Sequence, residues 1–475
     1  MKNALLPVSR IPPEVLTLIP DFWDKHDRDQ DIIALTHVCR TWRDSFTSRS
    51  SLWIDLDCVD ANKTRVYLER SKSSSIYLSL SRDNGLLPQD PFLELAPDAF
   101  CRLKSLTIDV TPEHLQEFTD YLSHPAPFLE KLDIEINCEL NPERSPVLTP
   151  ALFGGDLSSL RKLRLTCVRT ELPWRNMVNL TSFELGYTSS GEISVTQLLD
   201  FLESAPHLLE VELYSVTMTY DAQDGRLVTL PRLKSSFVYG RQPTSPLFDH
   251  LLIPAGADLT IELDLPLPRI QDYLPGSFDN LRNLSDFTEI RMDFGESYTH
   301  MRFAGPNGQV CLVPQTFGFG ATAIGLESLA LFDTSKTRRL DLTNSDPLSK
   351  HLLYQTLLPM KNLLTLTISE CHNPSFFFRT LDPSLDPSNV LVCPKLEMLV
   401  LCIDRKEGFD FQTVMNMAAS RASRGAKLKF VRIESRVEFV PVTVLELRKH
   451  VLHVEYDFGV GLISSSDGDS RGESD

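Results

Sequence analysis

The sequence has no apolar run that approaches the roughly 18 residues needed to cross a bilayer. Its longest apolar stretches, such as Met398–Ile403, have the length of a strand. The first residues also lack the core of a signal peptide, because Pro7 and Arg10 interrupt the short apolar stretch there. These absences predict an intracellular protein, cytoplasmic or nuclear, with no membrane partner.

Positive charge is scarce, because 47 lysines and arginines face 64 aspartates and glutamates in a chain of 475 residues. The resulting formal charge of -17 disfavours a nucleic-acid partner, whose phosphates are also negative. Paired cysteines are missing too, since the nine cysteines are odd in number and form no Cys-x-x-Cys motif. This pattern argues against a disulfide framework and against a zinc site.

Enzyme motifs are weak or missing. The run Gly318-Phe-Gly320 has the spacing of a dinucleotide-binding loop, but Pro314 interrupts the strand that should precede it. His450 and His453 have no glutamate at metalloprotease spacing, and the chain contains no Gly-x-Ser-x-Gly motif. The sequence therefore predicts no catalytic residue, no metal site and no cofactor.

A repeated pattern, Leu-x-x-Leu-x-Leu with other apolar substitutes, runs through most of the chain. Its last two apolar positions alternate with polar ones, which is typical of a strand with one buried face. Stretches with helical spacing of apolar residues lie between the copies, for example at 198–202, 352–357 and 411–418. The clearest copies begin at Leu103, Leu129, Leu160, Leu180, Leu208, Phe287, Leu326, Leu363, Leu396 and Leu428.

One strand and one helix cannot cover their own apolar faces, so stacked units must form a continuous core beside a mostly parallel sheet. The pattern resembles the leucine-rich-repeat family, with irregular and long repeats. This likeness implies an α/β fold built as a curved solenoid over 74–457. Two short alternating runs around Pro306-Asn-Gly308 predict an inserted hairpin at 298–316. The acidic tail, 458–475, is predicted to be disordered.

The first fifty residues differ from the repeats and predict three short helices. Pro12 and Pro13 suit a helix start, and Pro20 ends that helix. A second stretch carries apolar residues at helical spacing from Ile32 to Phe46. So small a segment buries little apolar surface alone, which favours a partner that covers part of it.

The segment contains an Ile-Pro-x-Glu-x-Leu start at 11–16, a Val-Cys-Arg-x-Trp-Arg centre at 38–43 and a Leu-Trp end at 52–53. With these motifs the segment, over 5–54, resembles the F-box. Ile19 is followed by Pro20, whereas F-boxes usually continue Ile-Phe. The matching residues are Ile11, Pro12, Glu14, Leu16 and Ile19, then Leu35, Val38, Cys39, Arg40, Trp42 and Arg43, and finally Leu52 and Trp53.

An F-box followed by irregular leucine-rich repeats is similar to the layout of many proteins of mushroom-forming, basidiomycete-type fungi. The runs Arg421–Leu428 and Leu445–Val451 look like segments near the end of such proteins. The resemblance implies a substrate-recognition subunit of a Skp-cullin-F-box ubiquitin ligase, which docks a Skp-family adaptor and, through it, a cullin scaffold. The residues expected at the adaptor contact are Ile11, Pro12, Leu16, Ile19, Leu35, Val38 and Trp42.

The open face of a repeat sheet is the usual platform for a partner, and its polar positions here are rich in acid. We expect a protein substrate with a basic segment. The alternative is that these carboxylates serve only to hydrate an exposed face. A second hypothesis is an interaction scaffold with a degenerate F-box and no ligase role. The residues expected at the substrate contact are Asp109, Asp133, Glu135, Arg164, Glu184, Glu212 and Tyr214.

Overall fold

The computed structural model divides into two compact units, Met1–Arg232 and Leu233–Asp475, called here the first and second unit. No helix of the described residues is long and apolar enough to cross a membrane. The Gly318-Phe-Gly320 run and the predicted tail after residue 458 lie outside the described residues. The structure describes residues 11–22, 28–57, 60–81, 99–111, 121–136, 147–148, 152–170, 177–187, 193–222, 225–264, 270–295, 299–306, 308–314, 321–343, 349–371, 374–385, 390–403, 409–436 and 441–458.

Short helices open the first unit and pack on one another. Pro13 occupies the first position of α1, where a missing N–H breaks no helical hydrogen bond. Helix α3 packs against both α1 and α2, and the Arg43 Nε donates to the carbonyl of Thr36 at 2.9 Å. The helices are α1 (Pro13–Leu16), α2 (Arg28–Thr36), α3 (Arg40–Ser48) and α4 (Ala61–Ser71), with 3-10 helices at Ile19–Phe22 and Ser50–Leu52.

Trp53 fixes these helices to the sheet of the first unit. Its side chain is fully buried, and its Nε1 donates to the carbonyl of Phe46 at 3.0 Å. Its ring meets the Tyr67 ring edge to face, with centroids 4.9 Å apart, and the Arg70 guanidinium lies 4.3 Å from its centroid. Two residues later Asp55–Leu56 enters the sheet as its first strand. The indole therefore links the helix that carries Phe46 to the helix that carries Tyr67 and Arg70, next to the first strand of the sheet.

Parallel strands form the main sheet of the first unit, in the order β1-β2-β3-β4-β6-β8-β10. Short pairs β5–β7 and β9–β11 accompany it. The strands are β1 (Asp55–Leu56), β2 (Ile76–Ser81), β3 (Leu103–Val110), β4 (Lys131–Ile136), β5 (Val147–Leu148), β6 (Lys162–Thr166), β7 (Arg169–Thr170), β8 (Ser182–Gly186), β9 (Ile193–Ser194), β10 (Glu210–Tyr214), β11 (Met218–Thr219) and β12 (Val228–Thr229), with helix α5 (Val195–Ser204).

One face of this sheet is apolar and buried, and the other carries polar side chains, most of them half-buried or exposed. Strand pairing aligns the buried residues in a row that crosses the strands, which packs each repeat on the next. The row contains Leu106, Leu132, Leu163, Phe183 and Val211.

In the described part of the first unit, a residue with left-handed backbone directly follows three strands of the sheet, a feature that the repeat pattern does not predict. Cys167, Tyr187 and Ser215 directly follow β6, β8 and β10, with φ values of 57°, 53° and 49°. This conformation costs a non-glycine residue roughly 1–2 kcal/mol. The Cys167 N–H donates to the carbonyl of Gly186 in the next strand at 2.9 Å. The turn thus adds a hydrogen bond to the end of the ladder, which offsets part of the strain.

The sheet of the second unit runs β13-β15-β18-β17-β16-β19-β20-β21-β22-β23, and every neighbouring pair is parallel except the two that involve β17. Its strands are β13 (Ser235–Gly240), β14 (Leu251–Leu252), β15 (Asp258–Leu263), β16 (Glu289–Phe294), β17 (Thr299–Ala304), β18 (Gln309–Pro314), β19 (Arg339–Thr343), β20 (Thr365–Ser369), β21 (Met398–Ile403), β22 (Phe430–Ser435) and β23 (His453–Phe458). Its helices are α6 (Ser245–Phe248), α7 (Ile270–Tyr273), α8 (Ala321–Ser328), α9 (Lys350–Leu357), α10 (Ser375–Leu381), α11 (Phe411–Ser423) and α12 (Pro441–Leu447).

The hairpin predicted at 298–316 falls on β17 and β18, which pair antiparallel. The two strands lie within the main sheet, since β18 also pairs with β15 and β17 also pairs with β16. At the turn, a side chain on Gly308 would come within 2.9 Å of the carbonyl oxygen of Ala255. A glycine is needed there because the turn lies against neighbouring backbone.

The strand predicted from Leu326, Leu329 and Leu331 is wrong. These residues lie in α8 and in the 3-10 helix Leu329–Leu331, and the strand of this repeat is β19 instead. A side chain on Gly325 would come within 2.9 Å of the Phe294 ring, so α8 lies close against β16. Apolar residues spaced by three and then two positions fit a short helix as well as a strand. Here the packing of the helix on the sheet favours the helix.

The other predicted strand repeats coincide with strands, and the helical stretches at 198–202, 352–357 and 411–418 are helices α5, α9 and α11. The coarse prediction of a mixed α/β fold with mostly parallel sheets is therefore confirmed.

Arg421 is a buried cation at the end of α11 in the second unit. Its relative exposure is 0%, and it donates to the carbonyls of Val392 and Cys393 at 2.8 and 2.7 Å. Burial lowers the pKa of this arginine, and burial raises the pKa of the Cys393 thiol to about 12. The guanidinium thus supplies a donor to the Val392 carbonyl and a second donor to the Cys393 carbonyl, which also accepts from the Leu396 N–H at 3.0 Å.

Replacing Arg421 with methionine should lower the free energy of unfolding by about 1–3 kcal/mol, because the Val392 carbonyl loses its donor and the Cys393 carbonyl keeps only the Leu396 N–H. Urea unfolding followed by circular dichroism measures the loss. The exposed Lys427, six residues along, is the matched control, and Lys427→Met should change stability by less than about 0.5 kcal/mol. Equal stability of the two variants would contradict this role for Arg421.

Candidate functional site

Strand pairing aligns polar side chains of the first unit in two rows on the open face of its sheet. All seven residues predicted to contact the substrate lie in these rows. The first row is Ser79, Thr107, Asp133, Arg164, Glu184 and Glu212, and the second is Ser81, Asp109, Glu135, Thr166, Gly186 and Tyr214.

Arg164 is the central cation of this surface. Its Nε lies 3.0 Å from the Glu184 Oε1 and 4.0 Å from the Asp133 Oδ1, and its Nη2 lies 3.6 Å from the Glu135 Oε2. Glu212 accepts a hydrogen bond from the Tyr214 hydroxyl at 2.7 Å. Arg164 thus contacts three of the five carboxylates in the two rows, and the rows keep a negative balance.

Burial raises the pKa of the Glu184 carboxyl above its usual range, the Arg164 cation opposes the rise, and the Glu212 charge adds to it. Burial alone would lower the pKa of Arg164, but Glu184, Asp133 and Glu135 reverse that effect and raise it. The arginine is therefore held charged, and it is the main factor that keeps Glu184 ionised.

The charge of the open face changes sign along the strands. Lys131 and Lys162 are paired neighbours two residues before the first acidic row. The acidic rows follow towards the carboxyl ends of the strands. A partner with a basic segment would therefore find its complement over the carboxyl half of β3 to β10.

The residues predicted at the adaptor contact divide into buried and open groups. Leu16 and Trp42 are only 1% and 9% exposed, so in this chain they fill the small core between the helices. Pro12 and Val38 are exposed, whereas Ile11, Ile19 and Leu35 are half-buried. The open group can meet a partner without any rearrangement of the core.

Three further exposed apolar side chains lie in these helices or in the turn between them, and the sequence analysis did not identify them. Val15, Leu18 and Phe22 are 50%, 48% and 86% exposed, and Val38 is 54% exposed. The F-box pattern does not include Val15, Leu18 or Phe22, and the signal that could have found the first two is the run Val15-Leu-Thr-Leu-Ile19, where apolar residues lie beside Leu16 and Ile19. Apolar side chains exposed together in one short segment are typical of a binding surface.

No group of histidine, cysteine or carboxylate side chains among the described residues could hold a metal ion. One cysteine–histidine pair occurs in the second unit, where the Cys311 Sγ lies 2.8 Å from the His300 Nε2. Cys311 is only 8% exposed. This pair therefore has little surface on which to meet a substrate.

Replacing Arg164 with methionine should destabilise the protein by about 1 kcal/mol at neutral pH, a value kept small because the arginine side chain is 42% exposed. The pKa of Glu184 then rises further, which makes its ionised form costlier in the folded state. The loss should shrink as the pH falls below the usual glutamate range, where the group is protonated in both states.

Urea unfolding followed by tryptophan fluorescence at neutral and acidic pH tests this, since Trp42 and Trp53 report on the first unit. The double variant Arg164→Met/Glu184→Gln should recover part of the stability that Arg164→Met loses. Lys162→Met serves as the control for removing one positive charge. A loss of stability that is the same at neutral and acidic pH would refute the coupling between Arg164 and Glu184.

No protein-family model matches this chain, and no curated protein matches it. Its function is therefore inferred from the two surfaces described above, the open apolar side chains of the first helices and the charged rows of the sheet.

Proposed function

We propose that the protein is the substrate-recognition subunit of a Skp-cullin-F-box ubiquitin ligase. Its first helices act as an F-box that docks a Skp-family adaptor, and its repeats act as a leucine-rich-repeat platform for a protein substrate. The observation that carries the proposal is the set of exposed apolar side chains on helices that Trp53 fixes to a parallel sheet.

The adaptor step is supported by the division of apolar residues among the first helices. Leu16, Trp42 and Phe46 fill the small core, so the segment folds around its own side chains. Phe22 and Val38 stay exposed, and a folded protein gains from covering such groups with a partner. Each large apolar side chain removed from water contributes about 1.5–3 kcal/mol.

The substrate step is supported by the acidic rows and by the fixed position of the helices. The protein would make and break no bond; it would hold a substrate lysine near a ubiquitin-charged enzyme, which raises the effective concentration of the reactants. Such proximity needs a stiff connection. The contacts of Trp53 with Phe46 and Tyr67 supply one between the helices and the sheet.

Replacing both Phe22 and Val38 with aspartate should weaken adaptor binding by at least about tenfold, because two exposed apolar contacts are lost. Co-purification and titration calorimetry with a Skp-family adaptor measure the effect. Val178→Asp is the control, since Val178 is 50% exposed in the same unit but lies outside the helices. Leu16 is unsuitable for this test because an aspartate there would be buried.

Retained adaptor binding in the double variant would remove the receptor proposal. If the wild type binds no adaptor while its repeats still capture other proteins, the scaffold with a degenerate F-box is the better description.

Replacing Glu135 with lysine should weaken binding of a basic substrate segment and leave adaptor binding unchanged, because it reverses a charge in the second acidic row. A fluorescent lysine-rich peptide measures the first effect by anisotropy, with an expected loss of about threefold to tenfold at low salt. Glu69→Lys, an exposed position on α4, is the control. Equal losses in the two variants would show that only net charge matters.

A further inference from the structure

A groove of about 500 Å³ crosses the turns at the amino ends of the strands in the first unit, away from the acidic rows. Residues from six successive strands or their preceding turns line it, from Ser75 before β2 to Leu209 before β10. Its volume is typical of a ligand site, which occupies about 300–1,000 Å³. None of the residues predicted from the sequence lies in it.

The shape of the groove fits an extended chain. Neighbouring strands lie about 4.8 Å apart, so the five steps from β2 to β10 span about 24 Å. An extended peptide rises about 3.3 Å per residue, and roughly seven residues cover that distance. A compact small molecule would occupy only part of the groove.

The charge of the groove is positive in a chain of formal charge -17. Lys104, Arg161 and Arg232 line it, against one carboxylate, Glu130. The Lys104 Nζ lies 3.6 Å from the Glu130 Oε1, so this pair is already neutralised. The guanidinium groups of Arg161 and Arg232 have no hydrogen-bond or ion-pair partner among the residues that the structure describes.

Apolar side chains alternate with these cations. Phe128 lines the groove with 63% of its surface exposed, and Leu209 is half-buried in the groove wall. Large exposed aromatic rings beside unpaired arginines are typical of the central contacts in protein interfaces. A nucleic-acid strand is disfavoured, because its many phosphates would also approach the carboxylates of this acidic chain.

We propose that this groove binds an extended acidic peptide segment of a partner protein. Carboxylates of the peptide pair with Arg161 and Arg232, and an apolar side chain of the peptide packs on Phe128. The site is separate from the acidic rows and does not depend on adaptor docking by the first helices. The protein thus offers two surfaces of opposite charge at the two ends of the same strands.

Fluorescence anisotropy with the full-length chain tests the proposal, using a labelled decapeptide of alternating glutamate and leucine. The variant Arg161→Glu/Arg232→Glu should bind at least about tenfold more weakly, and Phe128→Ala several-fold more weakly, with circular dichroism unchanged. The matched control is Lys162→Glu/Arg338→Glu. It makes the same change in net charge at two exposed residues, and neither of them lines the groove.

The proposal is supported if the control variant binds like the wild type and a peptide with lysine in place of glutamate does not bind. It is overturned if the control loses as much affinity as the groove variant, or if the wild type fails to bind the acidic peptide up to about 1 mM. Tighter binding of a single-stranded oligonucleotide, lost in the groove variant, would assign the groove to nucleic acid instead.

Discussion

A row of buried apolar side chains that crosses the strands is the constraint on which the first unit depends. Leu106, Leu132, Leu163 and Phe183 lie opposite one another because the strands run parallel and in register. Side chains alternate between the two faces of a strand, so fixing this row also fixes the polar rows on the other face. A slip of one residue in any strand would bury its charged groups and expose its leucines.

The same register separates the charged surfaces of the sheet. Residues near the amino ends of the strands, such as Arg161, meet at the groove, whereas Asp133 and Glu184 meet further along the strands. Parallel pairing makes this possible, since an antiparallel sheet would mix the two ends. The reversed strand β17 shows where the second unit departs from this rule.

The strands were predictable because the alternation of leucine with polar residues follows directly from one buried face. The polar rows were predictable for the same reason, once Asp133, Arg164 and Glu184 were placed at equal positions of successive repeats. The helix around Leu326 was not predictable, because the spacing of its apolar residues fits a strand as well as a helix. The close packing of Gly325 against β16 favours the helix. The groove was not predictable either, because Phe128 and Arg232 belong to turns whose side-chain directions no local pattern specifies.

The placement of Trp53 has a consequence for where the chain can be cut. A fragment ending at Ile54 would keep the indole but lose Tyr67 and Arg70, which cover it. It would also lose the strand at Asp55–Leu56 that anchors the segment. Autonomous folding of the opening helices therefore requires residues up to Ser71, and a shorter piece would display an aromatic surface that invites aggregation.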